Sequence, residues 1–346
     1  MKKLTVIIFI VVVATGAIGC LSLSSFPSRE ADTAQRTEQA NTTVLNDKDK
    51  PLVFEHVNKE EDAGKNVNQT TLDAPGVLQI ANTLLSSIYN NEEINFSDEK
   101  ALLKYLKATN DEEVYLHIIE KLQAAVAGNE SDDRLVEYSL SLLAAVDSLR
   151  ASEVFFTFIG RAEWEGSSAI YIVNKSISKL TRNGDYTALV QQTFTQANDD
   201  NPFVRELSSA IARHATTEQV DYLISFVDSP SKNKSMGASQ AMNSIHKESL
   251  VPHITSYITS SSTKTVQSTA LHSLANMGQY EAVSALIAWS AKQPKESIDQ
   301  VEQLFTIALS RSPSAKRSIE KEINSQEFAN ENVKVLIIKM SNEGLD

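Results

Sequence analysis

Cysteine is almost missing from this chain. Cys20 is the only one in 346 residues, so neither an intrachain disulfide framework nor a cysteine-rich zinc site can hold the fold. Basic residues are also in deficit, with 32 Lys and Arg against 44 Asp and Glu. The formal charge of −12 becomes more negative still if Lys2 and Lys3 leave with a cleaved leader. That balance argues against nucleic acid and anionic lipid surfaces as partners, because both require a basic field.

Motifs that carry chemistry are missing as well. There is no His-Glu-x-x-His pair, no Gly-x-Ser-x-Gly elbow, no phosphate-binding glycine loop and no dinucleotide fingerprint. The six histidines are His56, His117, His214, His246, His253 and His272. Only His246 and His253 share an inter-helix turn, and they read as exposed or capping side chains. Ser176-Ile177-Ser178-Lys179 and Ser229-Pro230-Ser231-Lys232 have Ser-x-x-Lys spacing, but the Ser-Asp-Asn and Lys-Thr-Gly partners are lacking. The expectation is no catalytic residue, no cofactor and no metal.

What is present begins with an address. Met1-Lys2-Lys3 precedes an apolar run from Leu4 to Ala14, the charged and apolar regions of a secretory signal. The run closes on Ala17-Ile18-Gly19-Cys20, which resembles the lipobox of bacterial lipoproteins. That resemblance implies Cys20 as the lipid-attachment residue, although leucine usually stands where Ala17 does. The segment from Leu4 to Leu23 is also uncharged and about long enough to span a bilayer as a signal anchor. Either route places the rest of the chain on the periplasmic or exterior side, tethered to the cell envelope. The organisation read from the sequence is thus 1–20 as signal peptide or signal anchor, 21–72 as a disordered tether, and 73–346 as a helical domain. The tether is rich in Ser, Thr, Asn, Asp, Glu, Lys and Gln, a composition too polar to bury a core. Leu52-Val53-Phe54 within it reads as a collapsed apolar cluster or a docking peptide.

After Asp73 the apolar residues recur with helical periodicity, and strand-like alternation is nearly absent. Helices are predicted near 76–90, 98–107, 112–127, 133–148, 151–162, 168–182, 186–197, 202–214, 218–228, 235–246, 249–259, 264–277, 280–292, 298–311, 314–324 and 331–342. Asn201-Pro202 and Ser312-Pro313 each place a capping side chain before a proline at the first helical position. Gly128, Gly184 and Gly278 fall where helices should stop. On alternate helices one apolar set repeats. Ile170, Val173 and Ile177 give way 34 residues on to Val204, Leu207 and Ile211, then to Ala238, Ala241 and Ile245. The period wanders between about 29 and 34 residues, and a two-helix unit of that size must stack on neighbours to bury its apolar face.

Asp200-Asn201-Pro202-Phe203-Val204-Arg205 with Ala210, followed by Glu218-Gln219-Val220 with Leu223 and Ile224, resembles a HEAT repeat. Val266, Ala270, Leu274, Gly278, Ala282-Val283 and Leu286-Ile287 do so again. The resemblance covers roughly 130–342, with 76–130 a weaker extension. It implies an all-α solenoid of stacked antiparallel helix pairs and an interaction scaffold without chemistry of its own. Asn183-Gly184-Asp185-Tyr186 looks like a tetratricopeptide turn, which leaves that family as the second architecture.

Four aromatic residues stand out as partner-binding candidates. Val220, Val251 and Val283 lead three successive second helices, and six residues beyond each lead come Phe226, Tyr257 and Trp289. At 100° per residue they share one flank, either as inter-repeat packing or as an aromatic groove for a peptide. Trp164, inside Glu163-Trp164-Glu165-Gly166, either covers an apolar edge or awaits a partner. The functional expectation is an exported, membrane-tethered scaffold that binds a protein or peptide of unstated identity. An envelope hydrolase or a purely structural envelope subunit are the alternatives.

Overall fold

In the computed structural model, residues 74–161, 163–259 and 262–343 are described. The leader, Cys20, the tether and Leu52-Val53-Phe54 lie outside the described residues. Sixteen α-helices and no strand occur among the described residues. They are α1 (Ala74–Tyr89), α2 (Phe96–Ala108), α3 (Glu112–Ala124), α4 (Glu130–Val146), α5 (Leu149–Ile159), α6 (Ile170–Leu180), α7 (Thr187–Gln196) and α8 (Val204–Arg213). They continue as α9 (Thr217–Val227), α10 (Lys232–Asn243), α11 (Val251–Thr259), α12 (Lys264–Met277), α13 (Tyr280–Ser290), α14 (Ile298–Arg311), α15 (Pro313–Glu322) and α16 (Glu331–Glu343). Each expected helix is present within a few residues. None of the described helices is long and apolar enough to cross a membrane.

Local chemistry sets where the helices begin and end. Asn95, Asp111, Asn129, Ser148, Ser231, Thr263 and Ser312 are N-caps whose side chains accept from the first-turn N–H groups, satisfying donors the helix leaves open. Acidic first turns in α2, α3 and α4 complement the helix dipole. Pro313 opens α15 as expected. Asn201-Pro202 departs from expectation, since α8 starts only at Val204. The Asn201 side chain is held by the preceding repeat, so residues 201–203 form a turn before the helix.

The helices pack in two rows. The even row runs α4, α6, α8, α10, α12, α14 and α16, each against the next. In the odd row α3, α5 and α7 pack successively, as do α11, α13 and α15. Phe194 of α7 meets Phe226 of α9 with ring centroids 5.0 Å apart, and Asp221 of α9 bonds Tyr257 of α11, which joins the row. The two rows close on each other through pairs such as α4 with α5, α8 with α9 and α12 with α13. This is an all-α, solenoid-like stack of helix pairs. The repeated apolar positions form its interior: Val173 and Ile177, Leu207 and Ile211, Ala238 and Ala241, Leu274, Leu304 and Phe305, and Val333 and Ile337 are all buried. Each buried Leu, Ile or Phe side chain contributes about 1.5–3 kcal/mol relative to exposure.

Polar side chains lace both edges of the stack at a separation of one repeat. Along one edge, His214 Nε2 donates to Arg182 O at 2.6 Å, Gln279 Nε2 to His246 O at 2.8 Å, and Ser314 Oγ to Gly278 O at 2.9 Å. On the opposite edge Arg161 donates to Leu122 O and Ala125 O, both at 3.1 Å, and Asn201 Nδ2 donates to Ile159 O and Arg161 O at 2.8 and 3.0 Å. Lys234 Nζ reaches Thr195 O at 2.7 Å. Carbonyls that helix ends leave without partners are therefore capped by the following repeat. Gly278 shows how tight the fit is. It closes α12 with φ +57°, and a Cβ there would lie 3.0 Å from Arg311 Cβ of the next repeat.

Candidate functional site

The odd row presents an open cleft where α3 and α5 lie side by side. Arg150, Glu153, Val154, Thr157, Phe158 and Arg161 recur at three- and four-residue spacing, which puts them on one face of α5 and its C-terminal end. They face Ile119, Leu122 and Gln123 of α3 across about 280 Å³. Leu122, Val154 and Phe158 are buried and form the floor, whereas Thr157 is exposed at the mouth.

Charges rim the cleft but are engaged within the protein. Arg150 donates through Nε to Glu112 Oε2 at 3.0 Å, pairs with the same carboxylate through NH2, and reaches Glu153 Oε2 at 3.3 Å. The hydrogen bond to Glu112 raises the Arg150 pKa above its ordinary value. Arg161 lies over the Phe158 ring, 4.2 Å from its centroid, with two guanidinium nitrogens committed to the end of α3. Burial pushes its pKa below the usual value, and Glu163 offsets only part of this. A cleft of this size, with an apolar floor and rim arginines already hydrogen-bonded within the protein, can receive one or two bulky apolar side chains.

The sequence-predicted aromatics separate into two groups. Trp164 is not available to a partner: it is only 4 % exposed. Its indole Nε1 donates to Arg161 O at 2.9 Å, and its ring packs edge-on against Phe158 and Phe203. The charged loop carrying it folds the ring inward to cover an apolar edge, and the partner-binding expectation for this residue is corrected accordingly.

Phe226, Tyr257 and Trp289 are half-buried and packed against the core. Phe226 leans on Phe194 of the preceding odd-row helix and on Tyr222 beside it, at 5.1 Å. Tyr257 OH donates to Asp221 Oδ1, which also meets His253 Nε2. Burial first, then this hydrogen bond, pushes the phenol up to about 12. Two of the three side chains thus reach back to the preceding repeat while keeping part of their surface in solvent. Glu322, at the corresponding place in the last pair, accepts from Tyr280 OH, and Lys321 Nζ stands 4.7 Å from the Tyr280 ring centroid.

The α3–α5 cleft was missed by sequence reasoning. Its signal was a second stripe on α5, Arg150, Val154, Thr157 and Arg161, running beside the core stripe Ala151, Phe155 and Phe158. Among the described residues no group of three or more His, Cys, Asp or Glu is placed to hold a metal ion. Fold and cleft together define an all-helical, solenoid-like protein with an open, apolar-floored cleft on its odd row. Compared with protein-family models, characterised proteins and solved structures, the chain gives no match.

Proposed function

We propose that this protein is an exported, membrane-tethered interaction scaffold whose HEAT-like repeats hold a protein or peptide segment on the odd-row face. The basic and apolar leader with Cys20 at its end supports the tether, either as a lipoprotein or as a single N-terminal transmembrane helix facing the periplasm. The Asn201 bracket between successive repeats, within the Asp-Asn-Pro-Phe-Val-Arg stretch, supports a HEAT-like repeat over a tetratricopeptide one.

One observation carries the binding reading: an open apolar cleft between α3 and α5 whose rim arginines are already engaged inside the protein, Arg150 by carboxylates and Arg161 by backbone carbonyls. Such a surface gains most from a desolvated hydrophobic anchor, the arrangement that dominates protein–protein hot spots. Phe226, Tyr257 and Trp289 extend the same face with half-exposed aromatic surface.

The test is affinity capture of the full-length protein from detergent-solubilised membranes. Thr157→Arg fills the cleft mouth without touching the core, and Gln303→Arg alters the even-row helix α14 at an exposed position. The proposal expects a stoichiometric partner that is lost with Thr157→Arg and kept with Gln303→Arg. Retention of the same partner by Thr157→Arg, with unchanged melting, removes the cleft from the binding site.

A further inference from the structure

A second cleft, of about 370 Å³, opens where the end of α1 meets α3 and α4. Leu85, Ala124 and Leu135 line its apolar part; Ser86, Tyr89, Asn90, Lys121 and Asp132 supply the polar part. Its chemistry is the reverse of the α3–α5 cleft. Among the described residues, the side chains of Ser86, Tyr89, Asn90 and Lys121 make no hydrogen bond or ion pair within the protein. Asp132 spends one oxygen on Val126 N, at 3.2 Å, and keeps the other free. The wall is nonetheless held in place, because Arg134 donates to Tyr89 O at the end of α1.

From this lining we infer that the cleft is a binding site for a neutral saccharide. One ammonium and one carboxylate cancel, so neither an anion nor a cation is favoured by net charge. What remains is an aromatic ring, 43 % exposed, beside donors and acceptors of both kinds. A sugar ring matches that combination: its C–H face packs on an aromatic face, and its hydroxyls each donate and accept. An extended peptide matches it less well, since the helical walls have their own backbone groups paired and leave no edge to bond a second backbone. The volume falls within the range of small-ligand sites. The inference is independent of the protein-binding face, which lies on other residues.

Saturation-transfer NMR on the full-length protein in detergent tests it. The probes are β-1,4-linked tetrasaccharides of glucose and of N-acetylglucosamine, with the zwitterionic dipeptide Ala-Ala as competitor. The expected result is transfer from at least one tetrasaccharide, weakened about tenfold or more by Tyr89→Ala and by Lys121→Met, and unchanged by Thr157→Arg. Circular dichroism should show that both cleft variants remain folded, since Tyr89 is exposed and Lys121 only partly buried. Absence of transfer at millimolar saccharide overturns the inference. So does transfer that persists in Tyr89→Ala, or displacement of the saccharide by the dipeptide.

Discussion

Replacing Asn201 by aspartate changes one amide nitrogen into an oxygen and leaves the shape of the side chain alone. That nitrogen donates to Ile159 O at 2.8 Å and Arg161 O at 3.0 Å, while Oδ1 accepts from Phe203 N at 2.9 Å. The side chain is 3 % exposed, so water cannot replace the lost donors. Two hydrogen bonds at about 0.5–1.5 kcal/mol each disappear, and a carboxylate oxygen now faces two carbonyl oxygens in a buried place. The expected loss is at least about 3 kcal/mol, whereas Asn201→Ala, which removes all three bonds without adding charge, should cost about 2–4 kcal/mol. Urea denaturation followed by circular dichroism measures the loss. Hydrogen exchange adds the location: amides at the end of α5 and the start of α8 should exchange faster than those of α14. An Asn201→Asp protein within about 1 kcal/mol of wild type would refute the idea that this side chain brackets consecutive repeats.

Other substitutions probe separate links of the account. Gly278→Ala combines a left-handed backbone with a methyl group pressed on Arg311 Cβ, and melting should show a loss of about 1–2 kcal/mol or more; no loss would mean that the two repeats are not closely seated there. Phe226→Ala removes the edge-on contact with Phe194 and should cost about 2 kcal/mol, less than a fully buried ring; a variant as stable as wild type would mean that the ring does not hold consecutive repeats together. Burial raises the Glu99 carboxyl above its ordinary 4.5. The folded state therefore binds this proton more tightly, and the associated stability is present below the unfolded-state pKa and lost as pH rises through the folded one. Glu99→Gln should gain stability relative to wild type between about pH 4 and pH 7, and a difference in melting temperature that stays flat over that window would contradict the burial argument.

Much of this architecture was legible because helix formation and repeat stacking depend on short-range periodicity. Val204, Leu207 and Ile211 announce a buried helical stripe from their spacing alone, and Ser312-Pro313 announces a helix start from its local chemistry. Asn201 was misplaced for the opposite reason. Its partners Ile159 and Arg161 are about 40 residues away in sequence, and no local rule says that the amide will turn toward them rather than cap its own helix. Trp164 was ambiguous because a ring between two glutamates is polar in sequence, while the loop that carries it places it against Phe158 and Phe203. The shared flank of Phe226, Tyr257 and Trp289 follows from 100° per residue. Whether such a flank meets a neighbour or solvent depends on how each helix is rotated against the previous repeat, which the sequence period does not specify. The α3–α5 cleft is likewise a property of two helices whose spacing no single stripe encodes.

The most direct test of the scaffold reading is a photo-crosslinking amino acid placed at Thr157 in living cells, with the same residue at Gln303 as the even-row comparison. Irradiation should give one discrete, heavier adduct from position 157 that stays with the membrane fraction, and little or none from position 303. No adduct at 157, or equal and diffuse labelling from both positions, would contradict an interaction scaffold that engages its partner through the α3–α5 cleft.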